Sequence, residues 1–229
     1  MKLKSGYPKA ILFDYDGVLA NTPEYNYRSW NAAFSPEGVE IKRREYFLME
    51  GRGPLLISQM LCQEHGVSPE KDEEIMKRKE KIMRQIAGQS TIYSGIHELL
   101  HGLYQGGVLL ALVTGASKKR VEQFLPKEIH KLFNAVVTSD DVVRTKPDPE
   151  PYLKAAEILG VRPKESLVVE NAPLGIKSAK NAGFHCVALT TTLLASDLQD
   201  ADAVFNNHIA LSKFLLRDFP SLGPRFFER

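Results

Sequence analysis

Six short apolar runs recur along the chain, each of strand length and rich in aliphatic or β-branched residues. Their apolar character is continuous rather than alternating, which is typical of strands buried on both faces of a parallel sheet. The pattern therefore predicts six strands in one buried sheet. The runs are 10–14 (AILFD), 108–113 (VLLALV), 134–138 (NAVVT), 166–170 (SLVVE), 184–189 (FHCVAL) and 202–205 (DAVF).

Helical patterns lie between most of these apolar runs. Glycine follows three of the patterns, at Gly106-Gly107, Gly160 and Gly183, where a left-handed C-terminal cap is favoured. Strands that alternate with helices through short loops predict an α/β fold with a doubly wound parallel sheet. The helices predicted in this part of the chain are 95–105, 118–125, 150–159 and 174–181.

One long stretch, residues 22–89, contains no convincing strand. It carries helical patterns instead, which predict an all-α cap inserted between the first and second strands. The α/β core is then split into residues 1–21 and 90–229. The four helices predicted in the cap are 24–34, 43–50, 54–65 and 69–86.

The last of these cap helices carries a dense run of charges, with basic positions facing acidic ones. Such a run is typical of a solvated helix face. We therefore expect it to lie in solvent rather than in a binding site. The basic residues are Lys77, Arg78, Lys79, Lys81 and Arg84, and the acidic residues are Glu73, Glu74 and Glu80.

The 229 residues include 30 Lys and Arg against 28 Asp and Glu, a net charge of +2. A chain so close to neutrality offers no broad basic surface, so we expect no nucleic acid partner. No apolar stretch reaches the length of a membrane span, and the first apolar run is too short for a signal peptide. We therefore expect a cytoplasmic protein without a membrane partner, in which Cys62 and Cys186 are buried, reduced thiols.

The strongest chemical signal follows the first predicted strand, where residues 13–17 read Phe-Asp-Tyr-Asp-Gly. Ligands of open α/β sheets bind at the carboxyl ends of the strands. A carboxylate at Asp14 can coordinate Mg²⁺ or attack phosphorus, and Asp16 beside it can transfer protons. A bare Asp-x-Asp is also typical of a turn that ends a strand. The strand before the pair and Gly17 after it favour the chemical interpretation.

Two further motifs carry candidate phosphate ligands. The second strand leads into Thr114, Gly115 and Ala116, whose hydroxyl and amide groups can bind an anion where a helix starts. Alternatively, Thr114 or Ser117 merely caps that helix. Lys146 lies among three prolines, which would hold its ammonium group as a positioned charge beside a phosphate and a carboxylate. The alternative is an exposed lysine that opens a helix.

The fourth motif ends the strand 166–170 with Glu170 and Asn171, which both offer oxygen ligands to Mg²⁺. Asn171 alternatively caps the next helix, whose first position suits Pro173. None of the last three motifs is decisive alone. Because each lies at a strand end or in a rigid loop, and in this order, the four together predict one phosphoryl-transfer site.

With these motifs, the chain resembles the haloacid dehalogenase superfamily of phosphotransferases. More narrowly, it resembles the β-phosphoglucomutase-like phosphatases, which carry a helical cap after the first strand. The resemblance covers nearly the whole chain, and residues 14–22 are its most specific part. It implies a Mg²⁺-dependent hydrolase of phosphomonoesters that acts on a small phosphorylated metabolite through a phospho-aspartate intermediate.

The resemblance also implies catalytic roles for three residues. Asp14 would be the nucleophile. Asp16 would be the general acid and base, and its backbone carbonyl would bind the metal. Lys146 would pair with both the nucleophile and the phosphate.

The remaining roles implied by the resemblance concern ligand binding. Thr114 would bind the phosphate, with help from the amides of Gly115 and Ala116. Glu170 and Asn171 would complete the metal site together with the two aspartates that follow the first strand.

Two positions depart from the family pattern. Asn171 stands where the family usually has Asp, so the metal site has one negative charge less. We expect weaker Mg²⁺ binding, with Glu170 compensating directly or through water. Asn26 stands where β-phosphoglucomutases have a histidine that gates the acid/base chemistry. Its absence favours a hydrolase over a mutase, and Asn26 is otherwise interpreted as a plain helix residue.

Substrate selection is expected from the cap, since the core handles only the phosphoryl group. Arg52 lies between two glycines and could hold a second anionic group, although a plain turn fits equally well. Lys79 is a weaker candidate. Two other functions stay open: a sugar-phosphate mutase that uses the same phospho-aspartate, and a non-catalytic binding or regulatory protein, which only Asn171 suggests. The particular substrate and the oligomeric state are also open.

Overall fold

The computed structural model describes residues 7–86 and 92–217. Its strands are β1 (Ala10–Phe13), β2 (Leu109–Val113), β3 (Ala135–Val137), β4 (Ser166–Glu170), β5 (His185–Leu189) and β6 (Ala203–Phe205). They form one parallel sheet in the order β3-β2-β1-β4-β5-β6. The chain fills one side of β1 first and then the other, so the strand order reverses between β1 and β4. Ligands of such sheets bind at this reversal.

Each predicted strand is confirmed, and its bounds differ from the prediction by no more than one residue at either end. The central strand shows why the apolar runs are continuous. Ile11 and Phe13 point into one layer of the core, and Ala10 and Leu12 point into the other. Because alternate side chains of a strand face opposite sides, burial of both faces requires every position to be apolar.

The segment between β1 and β2 contains helices and turns in its described part, and the four predicted helices are confirmed. The last is preceded by a short 3₁₀ turn over Pro69–Lys71. Residues 87–91, where the predicted cap ends, lie outside the described residues, so that boundary stays a prediction. The helices are α1 (Pro23–Phe34), α2 (Arg43–Met49), α3 (Pro54–Glu64) and α4 (Asp72–Ile86).

In the described part of the chain, six further helices belong to the α/β core. One face of the sheet packs against α5, α6, α7 and α10, and the other against α8 and α9. The short α7 and the C-terminal α10 were not among the predicted helices; α7 is too short to show a helical period. The core helices are α5 (Ile96–Gln105), α6 (Lys118–Phe124), α7 (Lys127–His130), α8 (Glu150–Leu159), α9 (Pro173–Asn181) and α10 (His208–Leu216).

The helical insert has an apolar core of its own, which includes Trp30, Phe34 and Phe47. Cys62 is buried in this second core, whereas Cys186 is buried in β5, and both are free thiols, as predicted. Because it has this second core, the insert packs as a separate layer, which we call the cap.

None of the helices in the described part of the chain combines the length and the apolarity that crossing a membrane requires.

The carboxyl edge of the sheet fixes the backbone of the predicted site residues. The amide of Asp14 donates to the carbonyl of Val169 at 3.0 Å, and the amide of Thr114 donates to the carbonyl of Val137 at 2.9 Å. Sheet hydrogen bonding thus continues into both residues, and Glu170 is itself the last residue of β4. Three of the four motifs consequently start from a rigid, shared edge.

Candidate active site

Lys146 lies at the centre of the cluster that the sheet edge creates. Its ammonium nitrogen is 2.6 Å from Asp14 Oδ1, 2.7 Å from Glu170 Oε1 and 3.0 Å from the carbonyl oxygen of Val113. Lys146 and Glu170 are each 1% exposed. The alternative of an exposed lysine is therefore wrong. Tyr152, from the first turn of α8, donates to the same Glu170 oxygen at 2.7 Å.

The electrostatics of this cluster are set by burial and by opposed charges. Burial, with the neighbouring Glu170 and Asp16 carboxylates, raises the pKa of Asp14 to about 7, although Lys146 opposes the shift. Burial alone would lower the pKa of Lys146, but Asp14 and Glu170 outweigh it and raise that pKa to about 12. Lys146 is thus held as a cation. Burial and the neighbouring carboxylates disfavour the charged form of Asp14, the candidate nucleophile.

Glu170 is oriented by the residues that follow it. Its second oxygen accepts from the amides of Asn171, at 3.0 Å, and Ala172, at 3.4 Å. The carboxylate lies so close to α9 that a Cβ placed on Gly175 would be 1.8 Å from Glu170 Oε1. Glycine in this helix therefore makes room for the carboxylate. The helix starts at Pro173 with Ala172 before it, so the alternative that Asn171 caps the helix is wrong.

Asp16 is held differently from Asp14, by three donors on a single oxygen. Its Oδ1 accepts from the hydroxyl of Thr22, from Asn26 Nδ2 at 3.3 Å and from Arg120 Nη2 at 2.5 Å. Asn26 is buried, so its interpretation as a plain helix residue is wrong. The other carboxylate oxygen of Asp16 makes none of these contacts.

The loop after β2 lies at the same edge. The amide of Ala116 donates to the hydroxyl of Thr114 at 3.0 Å, which folds the loop back on itself. Ser117 accepts from the amide of Arg120 at 3.3 Å and caps α6. The alternative that Ser117 caps the helix is therefore correct, and Thr114, Gly115 and Ala116 line the space in front of Asp14.

That space is a cavity of about 60 Å³ between the sheet edge and the cap. Cavities that hold small-molecule ligands usually measure about 300 Å³ or more. In this arrangement the cavity is therefore smaller than a typical metabolite site. The core wall includes Asp14, Asp16, Thr114, Arg120, Glu170 and Asn171, and the cap wall includes Asn26, Trp30, Tyr46, Glu50, Arg52 and Lys79.

The cap closes on the core through the loop between α2 and α3. A Cβ placed on Gly115 would be 3.0 Å from the carbonyl oxygens of both Gly51 and Arg52, so a larger residue there would press against the backbone of the cap loop. The amide of Gly53 donates to the hydroxyl of Thr145 at 3.2 Å. Backbone contact thus joins the two layers beside the predicted phosphate loop.

Two side chains of this cap loop reach the cavity. Arg52 is partly buried and its Nε has no hydrogen-bond partner. Glu50 is 6% exposed; one of its oxygens is 3.5 Å from Asn171 Nδ2, and the other has no partner. Burial and the Asp16 and Asp14 carboxylates raise the pKa of Glu50 well above its usual range.

Lys79 lies inside the molecule, although its helix predicts a solvated face. It is 3% exposed, with its nitrogen 3.2 Å from Glu80 and 5.4 Å from the ring centroid of Trp30. Burial lowers its pKa to about 8, and the positive charge of Arg120 adds to this effect. The prediction holds for Lys77, whose side chain is 74% exposed. It is wrong for Lys79 because that helix face turns toward the core.

The sequence interpretation missed Arg120, Glu50 and Tyr152. Arg120 follows two exposed lysines and was read only as part of a helix, yet its position in the first turn of α6 brings it back over the sheet edge. Glu50 adjoins Arg52, so the same cap loop could have drawn attention to it. Tyr152 has no local signal, because only the packing of α8 against the sheet places it at Glu170.

The oxygen donors of the site fit a hard divalent cation. In the described residues, no group of three or more His, Cys, Asp or Glu side chains converges as a ready metal site. Mg²⁺ sites, however, also use backbone carbonyl, amide and water oxygens. The cavity edge offers the carboxylate of Asp14, the backbone of Asp16 and the side chain of Asn171, and Glu50 adds a buried oxygen without a partner.

The parallel sheet and the polar residues at its carboxyl edge can be compared with those of known protein families. A family model of haloacid dehalogenase-like hydrolases matches residues 11–189, and the chain belongs to this family. Its six-stranded parallel core with a helical cap agrees with solved structures of the family. One of them, a putative β-phosphoglucomutase from Bacteroides vulgatus, has a TM-score of 0.80 and 30% identity and covers 93% of this chain and 90% of its own.

Relatives of known sequence narrow the class to phosphatases. Validoxylamine A 7'-phosphate phosphatase of Streptomyces hygroscopicus subsp. limoneus is 32% identical over 94% of this chain and 99% of its own length. The CbbY protein of Cereibacter sphaeroides is 30% identical over 78% of this chain and 83% of its own. A CbbY variant from Rhodobacter sphaeroides, solved with xylulose-(1,5)bisphosphate, has a TM-score of 0.74 and 26% identity and covers 87% of this chain and 94% of its own. The protein is a phosphatase-type hydrolase of the β-phosphoglucomutase-like group.

Proposed function

We propose that the protein is a Mg²⁺-dependent phosphomonoesterase that hydrolyses a small phosphorylated metabolite through a phospho-aspartate intermediate on Asp14. The observation that carries the proposal is the contact of Asp14 with the buried Lys146 at the floor of a cavity that the cap closes. A carboxylate so placed is suited to attack a phosphoryl group that is bound between the core and the cap.

In the first step, Asp14 attacks phosphorus, and the bond from phosphorus to the ester oxygen breaks. Asp16 gives its proton to that leaving oxygen. In the second step, Asp16 removes a proton from water, which attacks the phosphorus and releases phosphate from Asp14. Asp16 suits both tasks because Thr22, Asn26 and Arg120 fix one of its oxygens and leave the other for the proton.

The transferred group is an anion that approaches an anionic nucleophile, so positive charge must lie between them. Lys146 supplies one such charge, and Thr114 with the amides of Gly115 and Ala116 supplies hydrogen bonds. Bound Mg²⁺, held by Asp14, the Asp16 carbonyl and Asn171, with Glu170 acting through water, would add further charge neutralisation and orient the phosphate. These are the roles that the resemblance implied for the same residues.

The cap wall supports the substrate class. Arg52 and Lys79 add two basic side chains to the lining of the cavity. A metabolite with a second anionic group, or with several hydroxyl groups, could satisfy them. Compounds of this kind accompany two relatives: one is named as a phosphatase of a validoxylamine phosphate, and one was solved in complex with xylulose-(1,5)bisphosphate. The near-neutral charge of the chain also supports a metabolite rather than a nucleic acid.

A mutase is the second candidate, favoured by the solved neighbour named as a putative β-phosphoglucomutase. Such an enzyme would use the same phospho-Asp14 but return the phosphoryl group to another hydroxyl of the sugar. Asn26 at the Asp16 oxygen, where the mutases have histidine, favours the hydrolase. Conversion of a sugar 1-phosphate to its 6-phosphate without release of phosphate would favour the mutase.

The experiment is a panel of phosphorylated metabolites, assayed for released phosphate with and without Mg²⁺. We expect release that depends on Mg²⁺ from one or a few sugar or polyol phosphates. Absence of release from the whole panel at saturating Mg²⁺, together with absence of phosphate labelling of Asp14, would overturn the proposal. It would leave a binding or regulatory role on the same scaffold.

A further inference from the structure

The charges around the proposed metal site do not balance within the core. Asp14 and Glu170 share the single cation Lys146, at 2.6 and 2.7 Å, and Asp16 pairs with Arg120. The core thus presents three carboxylates against two cations, a net charge of −1. Asn171 is neutral and adds nothing. A divalent cation carries a charge of +2, and the net charge of −1 from the core neutralises only half of it.

Glu170 is poorly placed to make up this difference. Its Oε1 already accepts from Lys146 and from Tyr152, and its Oε2 accepts from the amides of Asn171 and Ala172. Each oxygen therefore carries two hydrogen bonds from the protein. To replace the charge that Asn171 lacks, a carboxylate needs an oxygen that is free of protein hydrogen bonds. Glu170 has no such oxygen.

Glu50 is such a carboxylate, and it comes from the cap. Its Oε2 is 3.5 Å from Asn171 Nδ2, a long contact, and its Oε1 is buried without a partner. It lines the same cavity as Asp14 and Asp16. A buried carboxylate oxygen that lacks a partner costs free energy, and a cation bound in the cavity would remove this cost.

We propose that Glu50 supplies, from the cap, the carboxylate that Asn171 lacks, so that the cation site is complete only when the cap lies on the core. The proposal rests on the proposed function, since it concerns the same cation. Glu50 then adds to the cavity wall the one negative charge that an aspartate at position 171 would have supplied. Closure of the cap and binding of the cation then favour each other.

The test measures Mg²⁺ binding itself, by isothermal titration calorimetry with Mg²⁺ alone and no substrate. The variants are Glu50→Gln, Asn171→Asp and the double variant. We expect Glu50→Gln to weaken Mg²⁺ affinity by about tenfold or more, the size of effect that outer ligands of metal sites show. Asn171→Asp restores a core carboxylate, so it should tighten binding. In its presence, Glu50→Gln should cost less than about threefold, because coupled sites are non-additive.

Asp72→Asn is the matched control. Asp72 is also a cap carboxylate with a buried, unpartnered oxygen, but it lies at the start of α4 and does not line the cavity. We expect its replacement to leave Mg²⁺ affinity unchanged. Fluorescence of Trp30, the single tryptophan of the chain and part of the cavity wall, verifies that each variant is folded. Glu50→Asp keeps the charge on a shorter side chain and should give an intermediate affinity if Glu50→Gln fails to fold.

The outcomes separate this inference from the proposed function. If Glu50→Gln binds Mg²⁺ as tightly as the unchanged protein, the inference is wrong, while Mg²⁺-dependent phosphate release would still stand. A higher KM with unchanged Mg²⁺ affinity would likewise overturn it and make Glu50 a contact of the substrate. If the unchanged protein neither binds Mg²⁺ nor releases phosphate from any substrate, both proposals fail.

Discussion

The two walls of the cavity differ in how far their polar atoms are paired. In residues 7–86 and 92–217, six buried side-chain nitrogen or oxygen atoms lack a hydrogen-bond partner. Five of them belong to the cap, and three of these, on Asn26, Glu50 and Arg52, line the cavity. The sixth, Nε of Arg120, belongs to a core residue that lines the cavity. The cap atoms are on Asn26, Glu50, Arg52, Ser58 and Asp72.

Two buried lysines show what this difference means. Lys146 of the core lies between two carboxylates, whereas Lys79 of the cap has one partly exposed carboxylate, Glu80, and the ring of Trp30. The core is organised before any ligand arrives, as expected of groups that handle an invariant phosphoryl group. The cap keeps polar atoms unpaired, as expected of groups that meet a variable substrate.

Replacement of Asp14 by Asn tests the catalytic half of this comparison and should have the largest effect. Since the amide cannot form the phospho-aspartate, we expect turnover to fall by about 10⁴-fold or more. Lys146 keeps Glu170 and the Val113 carbonyl as partners, so the fold should survive. Phosphate release and thermal unfolding measure the two effects. Turnover within tenfold of the unchanged protein would show that Asp14 is not the nucleophile.

Replacement of Lys146 by Met should be the next largest effect, and on stability. It leaves Asp14 and Glu170 buried without their cation, which we expect to lower the free energy of unfolding by roughly 3–5 kcal/mol. Urea denaturation measures the change. The loss should shrink at low pH, because protonation of the buried Asp14 carboxylate removes part of the uncompensated charge.

Lys180→Met is the control for that experiment. Lys180 pairs with Asp202 at 2.7 Å, but both side chains are partly exposed. Pairs of this kind contribute about 1 kcal/mol or less. Equal losses from the two lysine variants would contradict the view that the core cluster is organised by Lys146.

Replacement of Gly175 by Ala tests the space that α9 gives to Glu170. Alanine in place of a helical glycine ordinarily stabilises a helix by about 0.5–1 kcal/mol. Here the new methyl group would be 1.8 Å from Glu170 Oε1. We therefore expect a loss of roughly 1–3 kcal/mol instead. In a Glu170→Ala background, the same change should no longer destabilise, and a persistent loss would point to another clash.

Replacement of Lys79 by Met should have the smallest effect and the opposite sign from Lys146→Met. Removing a buried, weakly paired cation should raise the free energy of unfolding by about 1–2 kcal/mol. It should also raise KM, because the cap wall loses a positive charge. Urea denaturation and steady-state kinetics measure both. A loss of stability would show that Lys79 is as well compensated as Lys146.

The pH dependence of the free energy of unfolding is a second test of whether Lys79 is poorly compensated. The pKa of Lys79 is lowered from 10.5 to about 8 in the folded protein. Between these values the unfolded chain binds a proton that the folded chain has released, so stability should rise with pH in this window. Lys79→Met should lose that contribution. Unfolding measured at several pH values from 8 to 10 compares the two proteins.

The sequence by itself determined the sheet and the core edge of the site. Continuous apolar runs marked the six strands, since burial on both faces favours apolar residues at nearly every position. Asp14, Thr114 and Glu170 could be placed together because the ends of parallel strands meet at one edge, whatever the details of packing. Lys146 was placed by its prolines, although its two carboxylate partners were not both foreseen.

The tertiary structure alone decided the cap wall and the partners of Asp16. The cap helices were foreseen, but local pattern does not fix how they rotate against the core. Lys79 therefore looked solvated and Asn26 looked unremarkable, although both are buried at the cavity. Arg120 contacts Asp16, which is 104 residues away in the sequence, and Glu50 contacts Asn171, which is 121 residues away. Such contacts depend on how the cap and the core pack together, and local sequence patterns do not predict this packing.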